Sequence, residues 1–208
     1  MNHAADFWKE AAPVAGKCLA HPFVQGLGDG SLDREKYRRF IAQDAFFLEA
    51  FARGYAHCLA SSPDRQGIYE FHRLLNGVFD ELQLHARAAK ELDIDLDRVE
   101  PTPAALEYTG FLQETIENST AAGETLAAMT PCMRLYAYLG AELAGSSTPA
   151  NPYAEWVDTY ASQDFQELAE LLETLLDRYG TGSAAERMNY QRAMELELQF
   201  FAAAYEGV

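Results

Sequence analysis

Residues 33–61 read DREKYRRFIAQDAFFLEAFARGYAHCLAS. Within them Phe40, Phe47, Leu48 and Phe51 recur at three- and four-residue spacing, the period of an α-helix with one apolar stripe. Working outward, the same period continues almost throughout the chain, and no run of alternating residues bounded by turns suggests a strand. The spacing predicts helices near 4–19, 33–61, 64–93, 103–119, 122–144, 151–161, 164–179 and 183–206. Together they make a single all-α domain over residues 1–208. Asp33 or Ser31 can cap the second of these helices, while Ser62-Pro63 and Thr102-Pro103 each read as a cap followed by proline in the first turn. The stretch from His21-Pro22 through Gly26, Gly28 and Gly30 reads as a loop with turn glycines. GSSTPANP (145–152) is the plainest break, and Pro131 should kink the helix that contains it.

The chain has 208 residues, 49% hydrophobic and 23% charged, an ordinary composition for a packed protein. Its 12 Phe, 11 Tyr and 2 Trp are enough for rings to line a pocket as well as a core. A net charge of −16 opposes binding to nucleic acid or anionic lipid, and no basic patch offsets it. The three cysteines lack C-x-x-C spacing, and no signal peptide or long apolar span is visible. The expectation is a cytoplasmic protein that binds neither nucleic acid nor membrane.

The informative residues are polar ones on apolar stripes. Asp44 lies four residues after Phe40 and three before Phe47, and Glu197 lies between Met194 and Phe201 on the face marked by Tyr190. A carboxylate turned toward a core is costly unless it is paired. Each is either a buried hydrogen-bonding residue that fixes helix packing, or one of two carboxylates meeting in a pocket with acid and base roles. Cys132 follows Pro131, and Tyr136 stands one turn further along the same face. A thiol beside a helix break can find freed backbone donors that would stabilise a thiolate, although unpaired cysteines commonly act as small hydrophobes. By that pattern Cys18 and Cys58 are core residues, and Tyr108, Tyr136 and Tyr160 read as core aromatics with a tethered hydroxyl. Glu81 and His85 are spaced for a metal pair or a helix-surface ion pair, but all five histidines lie at or before His85, which disfavours a di-iron bundle.

HPFVQGLGDGSL (21–32), FIAQDAFFL (40–48), MTPCMRLYAYLG (129–140), WVDTYAS (156–162) and ELELQFF (195–201) together resemble the TenA, or thiaminase II, family. The resemblance covers roughly residues 6–205. It implies a haem-oxygenase-like helical bundle without haem, usually a homotetramer. It further implies hydrolysis of 4-amino-5-aminomethyl-2-methylpyrimidine to the hydroxymethylpyrimidine and ammonia, often with cleavage of thiamin itself. On this mapping the nucleophile is Cys132, the acid/base is Glu197, and the pyrimidine-binding aspartate is Asp44. Phe47, Tyr108, Tyr136 and Tyr160 line or polarise the site. No metal or organic cofactor is needed, because the electron-poor ring is itself the electron sink.

Two positions depart from the family pattern. Phe47 stands where a tyrosine is frequent, and Arg134 where an aromatic is common. An inward Arg134 would favour an anionic or phosphorylated substrate; an outward one would be a surface or interface residue. In either case a cation so near the thiol should help the thiolate. Two other readings are a non-catalytic pyrimidine-binding or regulatory protein on the same bundle, and a cofactor-dependent oxidative relative.

Overall fold

The structure, a computed structural model, describes residues 2–119 and 121–207. Among these the chain is all helix and loop, with nine α-helices: α1 (His3–Leu19), α2 (Pro22–Asp29), α3 (Arg34–Ala60), α4 (Arg65–Glu91), α5 (Pro103–Asn118), α6 (Ala122–Ala144), α7 (Ala154–Ala161), α8 (Gln163–Tyr179) and α9 (Ala184–Glu206). A single 3₁₀ turn, Leu96–Arg98, bridges α4 and α5.

Local chemistry sets the helix starts. Asp33 accepts the Glu35 amide at 2.9 Å, and Thr102 accepts that of Ala105 at 3.3 Å ahead of Pro103. Ser183 and Glu186 form a reciprocal capping box at α9. The expected Ser62-Pro63 start is corrected: α4 begins at Arg65 and its cap is Asp64, which accepts the Gly67 amide at 2.8 Å. Both residues of the expected pair lie outside the helix.

The stretch read as a loop after His21 is instead helix α2. The His21 ring accepts the Phe23 amide at 3.2 Å and Pro22 opens the first turn. Gly26 and Gly28 sit inside this helix, where they permit close packing. A Cβ on Gly28 would lie 2.6 Å from the Leu143 side chain of α6. Only Gly30, at φ +80°, takes the left-handed conformation that ends the helix.

The paired helices α3 and α4, 27 residues each, pack along one another, and α3 also meets α6, whose buried residues spread around its whole circumference. Helices α5, α7, α8 and α9 also surround α6. It continues unbroken through Pro131, whose missing N–H interrupts the backbone ladder within the helix. The loop after α6 is fastened rather than loose: the Asn151 amide donates to the carbonyls of Leu27 (2.8 Å) and Gly28 (3.0 Å), and the Tyr153 hydroxyl donates to Leu32 (2.6 Å). These bonds fix the approach of α7, which carries Tyr160. No described helix is long and apolar enough to cross a membrane.

Candidate functional site

Six helices bring the candidate site residues together at one cavity, which α8 also lines through Asp164, Phe165 and Leu168. Helix α3 presents Asp44 and Phe47 three residues apart, hence on one face, and α4 presents Glu81. Helix α6 contributes Cys132 and Tyr136, and α7 contributes Tyr160. The space they enclose is about 300 Å³, large enough for a small heterocycle. Helices α5 and α9 supply Tyr108 and Glu197 to the same region. These two do not line the open space. The Tyr108 hydroxyl donates to Glu197 Oε1 at 2.8 Å, and Glu197 is itself a neighbour of Cys132.

The aromatic residues define the walls. Phe47 stacks on Phe51 at 5.3 Å and meets the Tyr108 ring edge-on at 4.1 Å, while Tyr136 meets Tyr160 at 4.8 Å. The cavity is thus bounded by the Phe47 ring on one side and the Tyr136–Tyr160 pair on another. Gly140 allows α7 to approach α6 closely enough for this: a Cβ there would lie 2.6 Å from the Ala161 amide nitrogen and would overlap the Tyr160 backbone.

Two carboxyls that the sequence patterning singled out, Asp44 and Glu197, come together here, and two residues given less weight join them. His85 Nε2 lies 2.8 Å from Asp44 Oδ2, and the Tyr160 hydroxyl donates to Glu81 Oε1 at 2.7 Å. The i, i+4 spacing of Glu81 and His85 therefore does not make a surface ion pair; each is engaged by a residue of a different helix. Glu81 and Tyr160 also form part of the wall between the main cavity and a smaller one of about 180 Å³, which His85 and Trp156 line.

Protonation follows from this arrangement. Burial pushes the Glu197 carboxyl up to about 8; hydrogen bonds from Tyr108 and Cys132 oppose the rise, and the charge on Asp44 adds to it. Burial also raises Glu81, helped by Asp44 and opposed by His85 and the Tyr160 hydrogen bond. For His85 burial favours the neutral ring, but the charge and hydrogen bond of Asp44, with Glu81, outweigh it and hold the imidazole above its ordinary value. Cys132 rises well above the usual thiol range, first by burial and then by the charges on Glu197, Glu81 and Asp44.

The last point corrects the expectation of a resting thiolate. The cavity around Cys132 offers carboxyls, which disfavour an anion. Arg134 does not relieve them: its guanidinium is 3.3 Å from Glu173 and stacks over the Trp8 ring at 4.2 Å, outside the cavity. The outward alternative holds, and with it the argument for an anionic substrate lapses. Cys18 and Cys58 are buried, as the pattern suggested.

Sequence comparison places these residues in context. The TENA/THI-4/PQQC family profile matches residues 8–207. An aminopyrimidine aminohydrolase from Halalkalibacterium halodurans is 33% identical, with the alignment covering 99% of this chain and 96% of that protein. The bifunctional TH2 protein, mitochondrial, of Arabidopsis thaliana is 35% identical over 88% of the chain, which spans only 34% of that longer protein. Among solved structures, a TenA homologue from P. horikoshii superposes with a TM-score of 0.90 at 26% identity and full coverage of both chains.

Proposed function

Because the chain belongs to the TENA/THI-4/PQQC family, we propose that it is a thiamin-salvage hydrolase that converts 4-amino-5-aminomethyl-2-methylpyrimidine and water to the hydroxymethylpyrimidine and ammonia. The observation that carries this reading is the shared placement of a pyrimidine-sized aromatic cavity, a carboxylate held by His85, and a thiol beside a carboxyl raised to about 8.

Asp44 accepts a hydrogen bond from the 4-amino group, and Phe47 with Tyr136 holds the ring. The carboxylate form of Glu197 takes the Cys132 proton as sulfur bonds to the electron-poor ring carbon next to the substituted one. The displaced ring electrons form an exocyclic double bond to the methylene, and the C–N bond breaks. Glu197 delivers its proton to the departing nitrogen, giving ammonia from the neutral amine or ammonium from its protonated form. Water then adds to the methylene while Glu197 takes one of its protons. The ring double bond re-forms, sulfur leaves, and Glu197 returns the proton to it. Each carrier ends as it began, so the chemistry needs no metal or organic cofactor. Tyr108 fixes the Glu197 carboxyl, and Tyr160 with Glu81 closes the wall opposite.

The aminopyrimidine aminohydrolases among the chain's relatives disfavour the regulatory alternative. The cytoplasmic setting and homotetramer implied by family resemblance belong to the same proposal; exposed Tyr69 and Phe79 on α4 offer apolar surface for such an assembly, and light scattering tests it. Ammonia release and product chromatography with the aminomethylpyrimidine test the activity. Hydroxymethylpyrimidine formed by the wild type and lost in Cys132→Ala is the expected result. No product from a folded wild type that still binds the pyrimidine overturns it.

A further inference from the structure

The charges that line the cavity are all of one sign. Asp44 and Glu81 lie inside it, and Asp80 and Asp164 are the exposed acidic residues of its lining, which places them at its opening. No lysine or arginine lines it. The arginines near it in the chain do not enter it: Arg53 pairs with Glu49 at 3.4 Å, and Arg87, three residues past Leu84, lines the smaller cavity instead. Arg73, one turn before Gly77 on α4, pairs with Glu167 at 3.2 Å, and Arg134, two residues past Cys132, is held by Glu173 and Trp8. Among the described residues neither Asp80 nor Asp164 has an ion-pair partner. Asp164 stands in the first turn of α8.

We propose that Asp80 and Asp164 make the mouth of this cavity a charge filter, admitting substrates whose pyrimidine methylene carries a cationic leaving group and turning away those that bear a phosphate ester. This rests on the hydrolase reading and names the substrate class within it. An ammonium or azolium group on the methylene is drawn toward the opening by both rim carboxylates. A phosphate monoester has to pass them and finds no lysine or arginine to receive it. At about 4 Å in water each encounter between unit charges changes a rate or affinity by roughly a factor of five. Added salt weakens the effect at an exposed rim, where the Debye length is about 8 Å at physiological ionic strength. Selection of this kind acts by repelling the wrong ligand as much as by attracting the right one.

Thiamin and thiamin monophosphate differ only by the phosphate and are the probes. kcat/KM is measured for both with the wild type, with Asp80→Asn/Asp164→Asn, and with Asp95→Asn/Asp97→Asn, which removes the same charge at the 3₁₀ turn away from the cavity. We expect the wild type to prefer thiamin by about tenfold or more at low salt. The rim variant should narrow that ratio by about three- to tenfold, chiefly through KM of the monophosphate, and the control pair should leave it unchanged. A wild type indifferent to the phosphate, or a ratio that moves equally in both variants, overturns the filter. Should neither compound nor the aminomethylpyrimidine be hydrolysed, the hydrolase reading falls. The same ratio is then read from dissociation constants by calorimetry, so the filter stands or falls on its own.

Discussion

Asp44 Oδ2 and His85 Nε2 lie 2.8 Å apart, both residues more than nine-tenths buried, and the pair joins α3 to α4 where the cavity needs a fixed acceptor. A carboxylate in that position without a cation would be destabilised by its surroundings. In the proposed reaction the imidazole thus acts through Asp44, as a positioning residue.

His85→Ala should therefore raise KM for the pyrimidine by about ten- to a hundredfold with a smaller loss in kcat, and cost about 3–5 kcal/mol of stability, as removal of one partner from a buried pair does. The stability arm depends on pH. The folded-state value of His85 is raised, so its contribution is fully present below the ordinary 6.5 and disappears as pH rises through the folded value. Urea midpoints of wild type and variant across pH 5–9 check this; a constant difference would exclude the coupling.

The Glu197 carboxyl provides a second pH handle. In the proposed reaction its carboxylate accepts the thiol proton, so kcat/KM should climb with pH up to about 8 and then level. Glu197→Gln should lose turnover at every pH. Stability runs the other way. The contribution of the protonated, buried carboxyl is fully present below about 4.5 and lost as pH rises through about 8, so the glutamine variant should flatten the fall in melting temperature between about pH 4.5 and 8.

Cys132 should alkylate slowly with iodoacetamide at neutral pH, because burial and three carboxyls hold its proton. Glu197→Gln removes the largest of those charges, and at pH 9 the variant should react several-fold faster. Cys18 and Cys58, pushed up to about 12 by burial, should stay unmodified in the folded protein, so mass spectrometry reads Cys132 alone. Equal rates in both proteins would show that Glu197 does not govern the thiol.

Gly140→Ala introduces a methyl group where α6 meets the Tyr160–Ala161 backbone. The helices must separate, at a cost of about 1–3 kcal/mol typical of overpacking. Tyr160 moves with α7, away from Glu81 and Tyr136. A fall in the urea midpoint together with a raised KM is the expected pair of results; an unchanged KM would detach Tyr160 from substrate binding.

Helical periodicity located every long helix to within a few residues, because each runs for at least four turns between clear caps or breaks. Helix α2 escaped because eight residues with two glycines and a leading proline resemble a loop, and the reason for Gly28 lies on α6 at Leu143. Asp44 and Glu197 were legible as carboxyls on apolar stripes. The roles of Glu81 and His85 were not, since their partners, Tyr160 and Asp44, lie on other helices and leave no mark on the spacing along α4. The raised thiol of Cys132 was equally hidden: its local sequence shows a proline and an arginine, while its environment is made by carboxyls from α3, α4 and α9.

The convergence of six helices on one small space has a further consequence. Asp44, Glu81, Tyr108, Cys132, Tyr160 and Glu197 each belong to a different helix, so no fragment of the chain retains a working half of the centre. Loss of turnover along a denaturant titration should coincide with loss of helicity, with no inactive but fully helical species before the midpoint. Catalysis in this chain becomes a gauge of whether the entire bundle is assembled.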